Sequence, residues 1–236
     1  MISVCMATYN GERFIEEQLY SILRNLSTKD EIIISDDASS DGTRTLIEHI
    51  MKKDSRIRLL TGPKKGIIAN FENAIVQAKG EIIFLSDQDD VWCDNKVSKV
   101  LDCFADERTK VVVHDAYVVN EYMEVLLPSY FGFRKSGSGF IKNIIRNSFV
   151  GCCMAFRKDL LSVVFPIPKN IEMHDQWIGI CGEMNGQVVF LKDRLLYYRR
   201  HGDNSSSLAK HHTVYKMIRN RCMFCLRLTL RMCKIV

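Results

Sequence analysis

Short apolar runs alternate with amphipathic stretches through the first 115 residues. Residues 2–6 form an apolar run suited to a buried strand, and Phe14, Leu19, Ile22 and Leu23 then recur at helical spacing within 14–25. Residues 31–35 (EIIIS) predict a second strand, 43–53 a helix, and Ile57–Thr61 a third strand stopped by Gly62-Pro63. A helix over 67–79 ends at Gly80, a fourth strand follows over 81–86, then a helix over 95–105 and a fifth strand over 111–114. Strands separated by helices of this length predict an α/β fold, with a mostly parallel, Rossmann-like central sheet covered by helices on both faces.

The rhythm breaks beyond Tyr117. Residues 121–139 read as loop, with Pro128 and the 136–139 Ser-Gly-Ser-Gly hinge. Helices are expected over 140–146, 159–164 and 174–184, an irregular segment over 151–156, and two strands over 187–191 and 195–199. This half reads as a cap on the first half's sheet. The expected organisation is one domain over 1–207, divided at 115/116, followed by a tail over 208–236.

Charge sharpens that division. The chain of 236 residues carries a formal +5. Residues 208–236 hold seven basic residues (Lys210, Lys216, Arg219, Arg221, Arg227, Arg231, Lys234) and no acid, so the body is at −2. The basic residues recur at helical intervals with Ile218, Cys222, Cys225 and Leu226 opposite, which predicts a helix lying on an anionic membrane surface; the alternative is a helix packed on the body. Nucleic acid fits the tail less well, because the net positive charge is only seven residues and is confined to that one segment, the body being at −2. No apolar run has the ~20 residues of a spanning helix, and the N-terminus lacks the basic and apolar regions of a secretory leader. The expected location is cytoplasmic, peripheral at the inner face of the plasma membrane. Nine scattered cysteines read as reduced thiols.

Ligands of open parallel sheets bind beyond the C-terminal strand ends. Here those ends are Ala7-Thr8-Tyr9-Asn10, Asp36-Asp37-Ala38-Ser39 and Asp87-Gln88-Asp89-Asp90. Five carboxylates converging on one crevice repel one another unless a cation balances them, and oxygen ligands of this kind suit Mg²⁺ or Mn²⁺ shared with substrate phosphates. The competing reading makes Asp36, Asp37 and Asp41 caps of the next helix.

ATYNGERFIEEQLYSIL, SDDASSDGT, FLSDQDDVW, MHDQW and YRRHGDNSSS, in this order and spacing, resemble an inverting family 2 glycosyltransferase of the GT-A fold over 1–207. The resemblance implies that Ala7, Thr8, Tyr9 and Asp37 hold the nucleotide, Asp37 accepting from the base. Asp87 and Asp89 match the motif that grips ribose and the divalent ion, with Asp90 as a neighbour and Asp36 beside Asp37. His201 matches a histidine that contacts metal or diphosphate, and Gly151 an acceptor-loop glycine. Asp175 matches the catalytic base, which takes the proton of the attacking sugar hydroxyl. Many relatives carry Glu-Asp where this chain has His174-Asp175. The His-Asp-x-Trp pattern, ending in Trp177, resembles a rhamnosyltransferase-like branch and implies a dTDP-rhamnose or UDP-hexose donor. The implied acceptor is a glycan, lipid-linked as in bacterial surface polysaccharide synthesis.

Other classes fit less well. Asp87-Gln88-Asp89-Asp90-Val91 also fits the nucleophile motif of haloacid-dehalogenase-type phosphatases, but there the Asp follows the first strand. No G-x-G-x-x-G follows strand one, which excludes a dinucleotide oxidoreductase. A non-catalytic carbohydrate- or membrane-binding module on the same scaffold is the remaining alternative. His114 and His49 read as structural, Lys64-Lys65 as a solvated loop, and Cys222-x-x-Cys225 lacks a second ligand pair.

Overall fold

The computed structural model describes residues 1–169, 171–202, 204 and 214–233, the side chains of 214–216 excepted. Strands β1 (Ile2–Thr8), β2 (Glu31–Asp36), β3 (Ile57–Thr61) and β4 (Ile82–Ser86) pair in parallel in the order β3-β2-β1-β4. β1, β2 and β4 are buried almost throughout, which is why they read as continuous apolar runs. Helices α1 (Ile15–Leu23), α2 (Thr43–Met51), α3 (Ile67–Val76) and α4 (Lys96–Cys103) bury one face each, Ile15, Leu19, Ile22 and Leu23 in the case of α1. The chain steps outward from β1 to β3 through α1 and α2, then returns across the sheet to β4 through α3. Right-handed crossovers put α3 on the opposite face from α1 and α2. The reversal of direction falls between β1 and β4, where such sheets bind ligands.

The second half extends the sheet and does not cap it. β8 (Met154–Arg157) inserts antiparallel between β4 and β6 (Thr109–Asn120), and β9 (Gln187–Arg200) lies parallel to β6 on its other side. β5 (Val91–Trp92) pairs antiparallel with β9, and β7 (Val125–Leu127) with the end of β6. Six of the nine strands therefore point one way, with β5, β7 and β8 reversed. β6 runs six residues past its expected end because Asp115, buried within it, accepts from Ser129 Oγ (2.6 Å) and from the Phe131 and Ala116 N–H groups (2.8 Å each). The stretch read as loop contains β7 and α5 (Tyr130–Arg134), followed by α6 (Phe140–Ile145), α7 (Leu161–Val164) and α8 (His174–Asn185). The two strands expected over 187–199 are one, β9, its pairing with β6 shifted in register between His114 and Tyr117. All nine cysteines are free.

Helix α9 (Val214–Met232) packs on the body. Phe224 and Leu228 are buried, with Phe224 edge-on to Trp177 at 5.7 Å. Arg231 donates to the Val163, Phe165 and Pro166 carbonyls, Arg221 to that of Ile145, and Asn220 to Glu172. The boundary expected at 207/208 lies outside the described residues, as do Lys210, His211, His212 and Lys234. Truncating a buried Phe costs about 3 kcal/mol or more. Phe224→Ala is accordingly expected to speed limited proteolysis of the tail roughly 100-fold while the body's thermal transition moves little; unchanged cleavage would show that docking adds no local stability.

Candidate active site

The parallel register brings the strand ends together. Met6 pairs with Ser86 and Thr8 with Asp36, so the turns after β1, β2 and β4 emerge side by side. Two of them are bonded reciprocally: Tyr9 N–H donates to Gln88 Oε1 (2.8 Å) and Gln88 Nε2 to the Tyr9 carbonyl (3.0 Å). Gly11 lies beneath this bridge, where a Cβ would come 2.5 Å from the Gln88 amide and push it off Tyr9. Gln18, buried in α1, donates to Ser86 Oγ and the Asp87 carbonyl (2.9 Å each). Tyr9 itself stays open to solvent, 59% exposed, while Thr8 is buried and Ala7 partly so.

The five strand-end carboxylates divide by environment. Asp36 is fully buried and consumed by Thr8 Oγ1 (3.1 Å), Ser39 Oγ (2.5 Å) and Arg44 (3.3 Å), so it faces inward and is not a ligand-facing group. Asp37 accepts from the Lys64 (2.5 Å) and Gly66 (3.0 Å) N–H groups, and Gly66 sits at φ 85°, the left-handed region that favours glycine. Lys64 and its loop are thus tied to β2's end. Asp41 caps Thr43, as the competing reading had it. Asp87 and Asp89 are part-exposed, whereas Asp90 is closed off.

Asp89 Oδ2 lies 2.9 Å from His201 Nε2 and accepts from Asn204 Nδ2 at 3.0 Å. β9 makes this contact possible by running back along β5, which also brings the Arg199 N–H to Asp90 Oδ1 (3.0 Å). The other Asp90 oxygen has no hydrogen-bond partner among the described residues. Asp87, Asp90 and the Cys152 thiol offer ligand atoms within 4.8 Å of one another. Burial, then the charges of Asp89 and Asp175, push Asp87 up to about 7; burial, then Asp89 and Asp87, push Asp90 well up. A cluster so crowded with negative charge, one buried oxygen unpartnered, fits a hard divalent cation. Cys152 suits it poorly, because a hydrogen bond with Cys153 and burial push its thiol well up and keep it protonated.

Asp175 opens α8 on the other wall. Its carboxylate accepts from the Gln176 N–H (2.5 Å), Gly151 N–H (3.2 Å) and Asn147 Nδ2 (3.3 Å), and burial raises it to about 6. Its charge lies close enough to Asp87 to raise it further. His174 and Trp177 do not line the cleft. His174 stacks on Phe71 (4.2 Å between centroids), and burial lowers it to about 4, so it is neutral. Trp177 is fully buried and its indole N–H donates to the Val164 carbonyl (2.9 Å), because the first turn of α8 turns this face toward α7 and α9.

Two residues escaped the sequence reading. Lys96 is fully buried, donates to the Cys152 carbonyl (2.8 Å) and lies 3.9 Å over the Trp92 ring; burial brings it down to about 8. As the first residue of an amphipathic helix it carries no sign of burial. Asn147, the ligand of Asp175, follows α6 in a stretch whose only signal is polarity.

This mixed sheet, with carboxylates at its switch point and Asp175 near them, defines an α/β protein of the GT-A type. Residues 3–165 match the family described as Glycosyl transferase family 2, and the chain belongs to it. Over 194 residues it is 26% identical to the UDP-Glc:alpha-D-GlcNAc-diphosphoundecaprenol beta-1,3-glucosyltransferase WfgD of Escherichia coli, covering 80% of this chain and 73% of that one. Over 104 residues it is 40% identical to the dTDP-rhamnosyl transferase RfbG of Shigella flexneri, covering 42% and 36%. The crystal structure of S. aureus TarS in complex with UDP-GlcNAc superposes with a TM-score of 0.75 at 19% identity, over 95% of this chain and 66% of that one, a likeness of fold. The chain thus spans about two thirds of the TarS 1–349 chain, 36% of a longer TarS chain and little more than a third of RfbG.

Proposed function

We propose that this chain is an inverting, divalent-metal-dependent glycosyltransferase moving a sugar from a nucleoside-diphosphate donor to a hydroxyl of a glycan. The observation that carries the reading is the approach of buried Asp175 to the part-exposed Asp87 at the sheet's switch point, close enough for its charge to raise Asp87, with Asp89 next to it held by His201 and Asn204. Residues 1–115 supply the donor side: Ala7, Thr8 and the exposed Tyr9 toward the base and ribose, with Asp37 beside them. Residues 116–207 supply the acceptor side. Asp87, Asp89 and His201 would hold Mg²⁺ or Mn²⁺, with Asp90 closed off behind. When bound, such an ion offsets the charge that builds on the departing diphosphate.

Asp175 is the base. As the acceptor oxygen bonds to the anomeric carbon and the bond to the diphosphate breaks, the hydroxyl proton passes to the Asp175 carboxylate. Gly151 N–H and Asn147 aim that carboxylate, and Gly151 shapes the acceptor wall. A carboxyl of pKa about 6 is mostly ionised at neutral pH yet basic enough to take a proton.

The names of WfgD and RfbG favour a UDP-hexose or dTDP-rhamnose donor and a lipid-linked acceptor, hence a place in bacterial surface polysaccharide synthesis. A basic tail meeting an anionic membrane, at the inner face of the plasma membrane, suits such an acceptor. The test is a panel of nucleotide sugars scored by thermal shift with Mn²⁺, then by transfer, with the product's anomeric configuration read by NMR. One nucleotide sugar is expected to stabilise the protein far more than its free sugar phosphate, and the product to be inverted. Release of inorganic phosphate from sugar phosphates, with no nucleotide needed, would sink the reading.

A further inference from the structure

The fold brings together two acid-free segments that are distant in sequence. Residues 125–158 contain six basic residues and no Asp or Glu, as does the tail with its seven. Helix α6, inside the first segment, contacts α9 of the second, and Arg221 of α9 donates twice to the Ile145 carbonyl.

Both helices turn apolar side chains outward. On α6, Ile141 is 71% and Ile145 58% exposed, one turn apart on one face, with Phe140 beside them and Lys142 and Arg146 exposed. On α9, Phe224 and Leu228 face the body, which leaves Ile218, Cys222, Cys225, Leu226 and Met232 outward. These outward positions are the face the sequence assigned to lipid, so packing on the body and presenting that face coexist in one helix. Two acids at the margin accept hydrogen bonds from neighbouring residues: Glu172 from Asn220, and Glu183 Oε1 from the Gly139 N–H and Asn143.

Resting on the membrane reading of the tail, we infer that α6 and α9 together form one docking face for an anionic lipid surface, with α6 supplying the inserted side chains nearest the acceptor wall. Apolar side chains rimmed by Lys and Arg, with no acid on either helix, match an anionic leaflet in charge and in chemistry. Among the described residues no helix is long and apolar enough to cross a membrane. The face also has a direction. Two residues beyond α6 stands Asn147, which bonds Asp175, and Ile144, Asn147, Gln176, Arg221 and Phe224 line a cleft at the seam of the two helices. A sugar held at the lipid surface by a diphosphate-lipid anchor would therefore reach the base from the α6 side.

The test is flotation of the full chain with phosphatidylcholine vesicles, with and without phosphatidylglycerol. The chain is expected to float only with the anionic vesicles, and less in high salt. Ile141→Asp/Ile145→Asp, on α6 alone, is expected to lower the bound fraction roughly tenfold or more, the scale for withdrawing apolar side chains from lipid. Its thermal shift with nucleotide and Mn²⁺ should equal that of the wild type, which shows that the variant folds. Ile218→Asp/Leu226→Asp on α9 is the companion. If the α6 variant floats as the wild type while the α9 variant does not, the two-helix face is overturned and the tail reading stands. If neither variant alters flotation, or the wild type floats equally with neutral vesicles, both fall. If the wild type stays unfloated but runs as a dimer that Ile141→Asp dissociates, the face belongs to a second copy and the lipid inference is overturned.

Discussion

Asp175→Asn should abolish sugar transfer and leave donor binding in place. A positioned base contributes roughly 10²–10⁴ in rate, so the variant's kcat should fall within or beyond that range, while its thermal shift with nucleotide sugar and Mn²⁺ stays near that of the wild type. The substitution is nearly isosteric. The Asn oxygen can still accept from Asn147 or the Gln176 N–H, but its amide would meet the Gly151 N–H donor to donor, at a cost of about 1–3 kcal/mol. A lower melting temperature with intact donor binding is therefore part of the expected result. Asn147→Ala should lower kcat less, since Asp175 keeps two backbone donors. The pH dependence follows from burial, which raises Asp175 to about 6. The base acts when ionised, so kcat should climb as pH rises through about 6 and level off above 7. A flat acid limb between pH 5 and 7, or full activity in Asp175→Asn, would remove Asp175 from the base role.

The first half of the fold was legible because its signals are local. β1, β2 and β4 are buried on both faces, so apolar runs mark them, and Ile57–Thr61 was bounded correctly by Gly62-Pro63. The second half was misread for a matching reason. β8 finds its place between β4 and β6 through pairing with residues about 40 and 70 positions away, and nothing in MAFR announces two antiparallel neighbours. His114-Asp115 looked like a strand end, but the donors that satisfy Asp115 come from the start of α5.

The site shows the same division. Three polar turns after apolar strands, two of them acidic, were readable as one crevice from order alone. Which of their carboxylates face outward was not. Asp36 and Asp37 are adjacent, yet one is buried under Thr8 and Ser39 while the other holds a loop, a difference set by strand alternation. Trp177, two residues after the base, points to the opposite side of α8 for the corresponding helical reason. Lys96 was invisible because burying a lysine depends on a carbonyl, that of Cys152, supplied from far along the chain.

Stripping divalent ions should remove both activity and nucleotide binding, and Asp89→Asn should make that loss permanent. Metal-free protein is expected to show little thermal shift with UDP or dTDP. With Mn²⁺ and the diphosphate each near 100 times its dissociation constant, the stabilisation is about 2.7 kcal/mol or more, roughly 5–10 °C for a chain of this size. Asp89 is the residue to change because it is part-exposed and already held by His201 and Asn204. Asp90 is closed off. Asp89→Asn should melt no lower than the wild type when metal-free, because the charge of Asp89 raises both Asp87 and Asp90. Linkage gives the pH sign. Folded Asp87 and Asp175 titrate near 7 and 6, above the unfolded range near 4, so between those values the folded state binds more protons. The contribution of Asp87 and Asp175 to metal-free stability should then fall as pH rises from about 4 to 7, against the opposite trend from His174 and His114, which burial keeps neutral, and Mn²⁺ should bind more weakly below pH 7, where Asp87 must first lose its proton. Mn²⁺ binding as tight at pH 5 as at pH 7, or an Asp89→Asn protein that answers Mn²⁺ and UDP as the wild type does, would separate these carboxylates from metal binding.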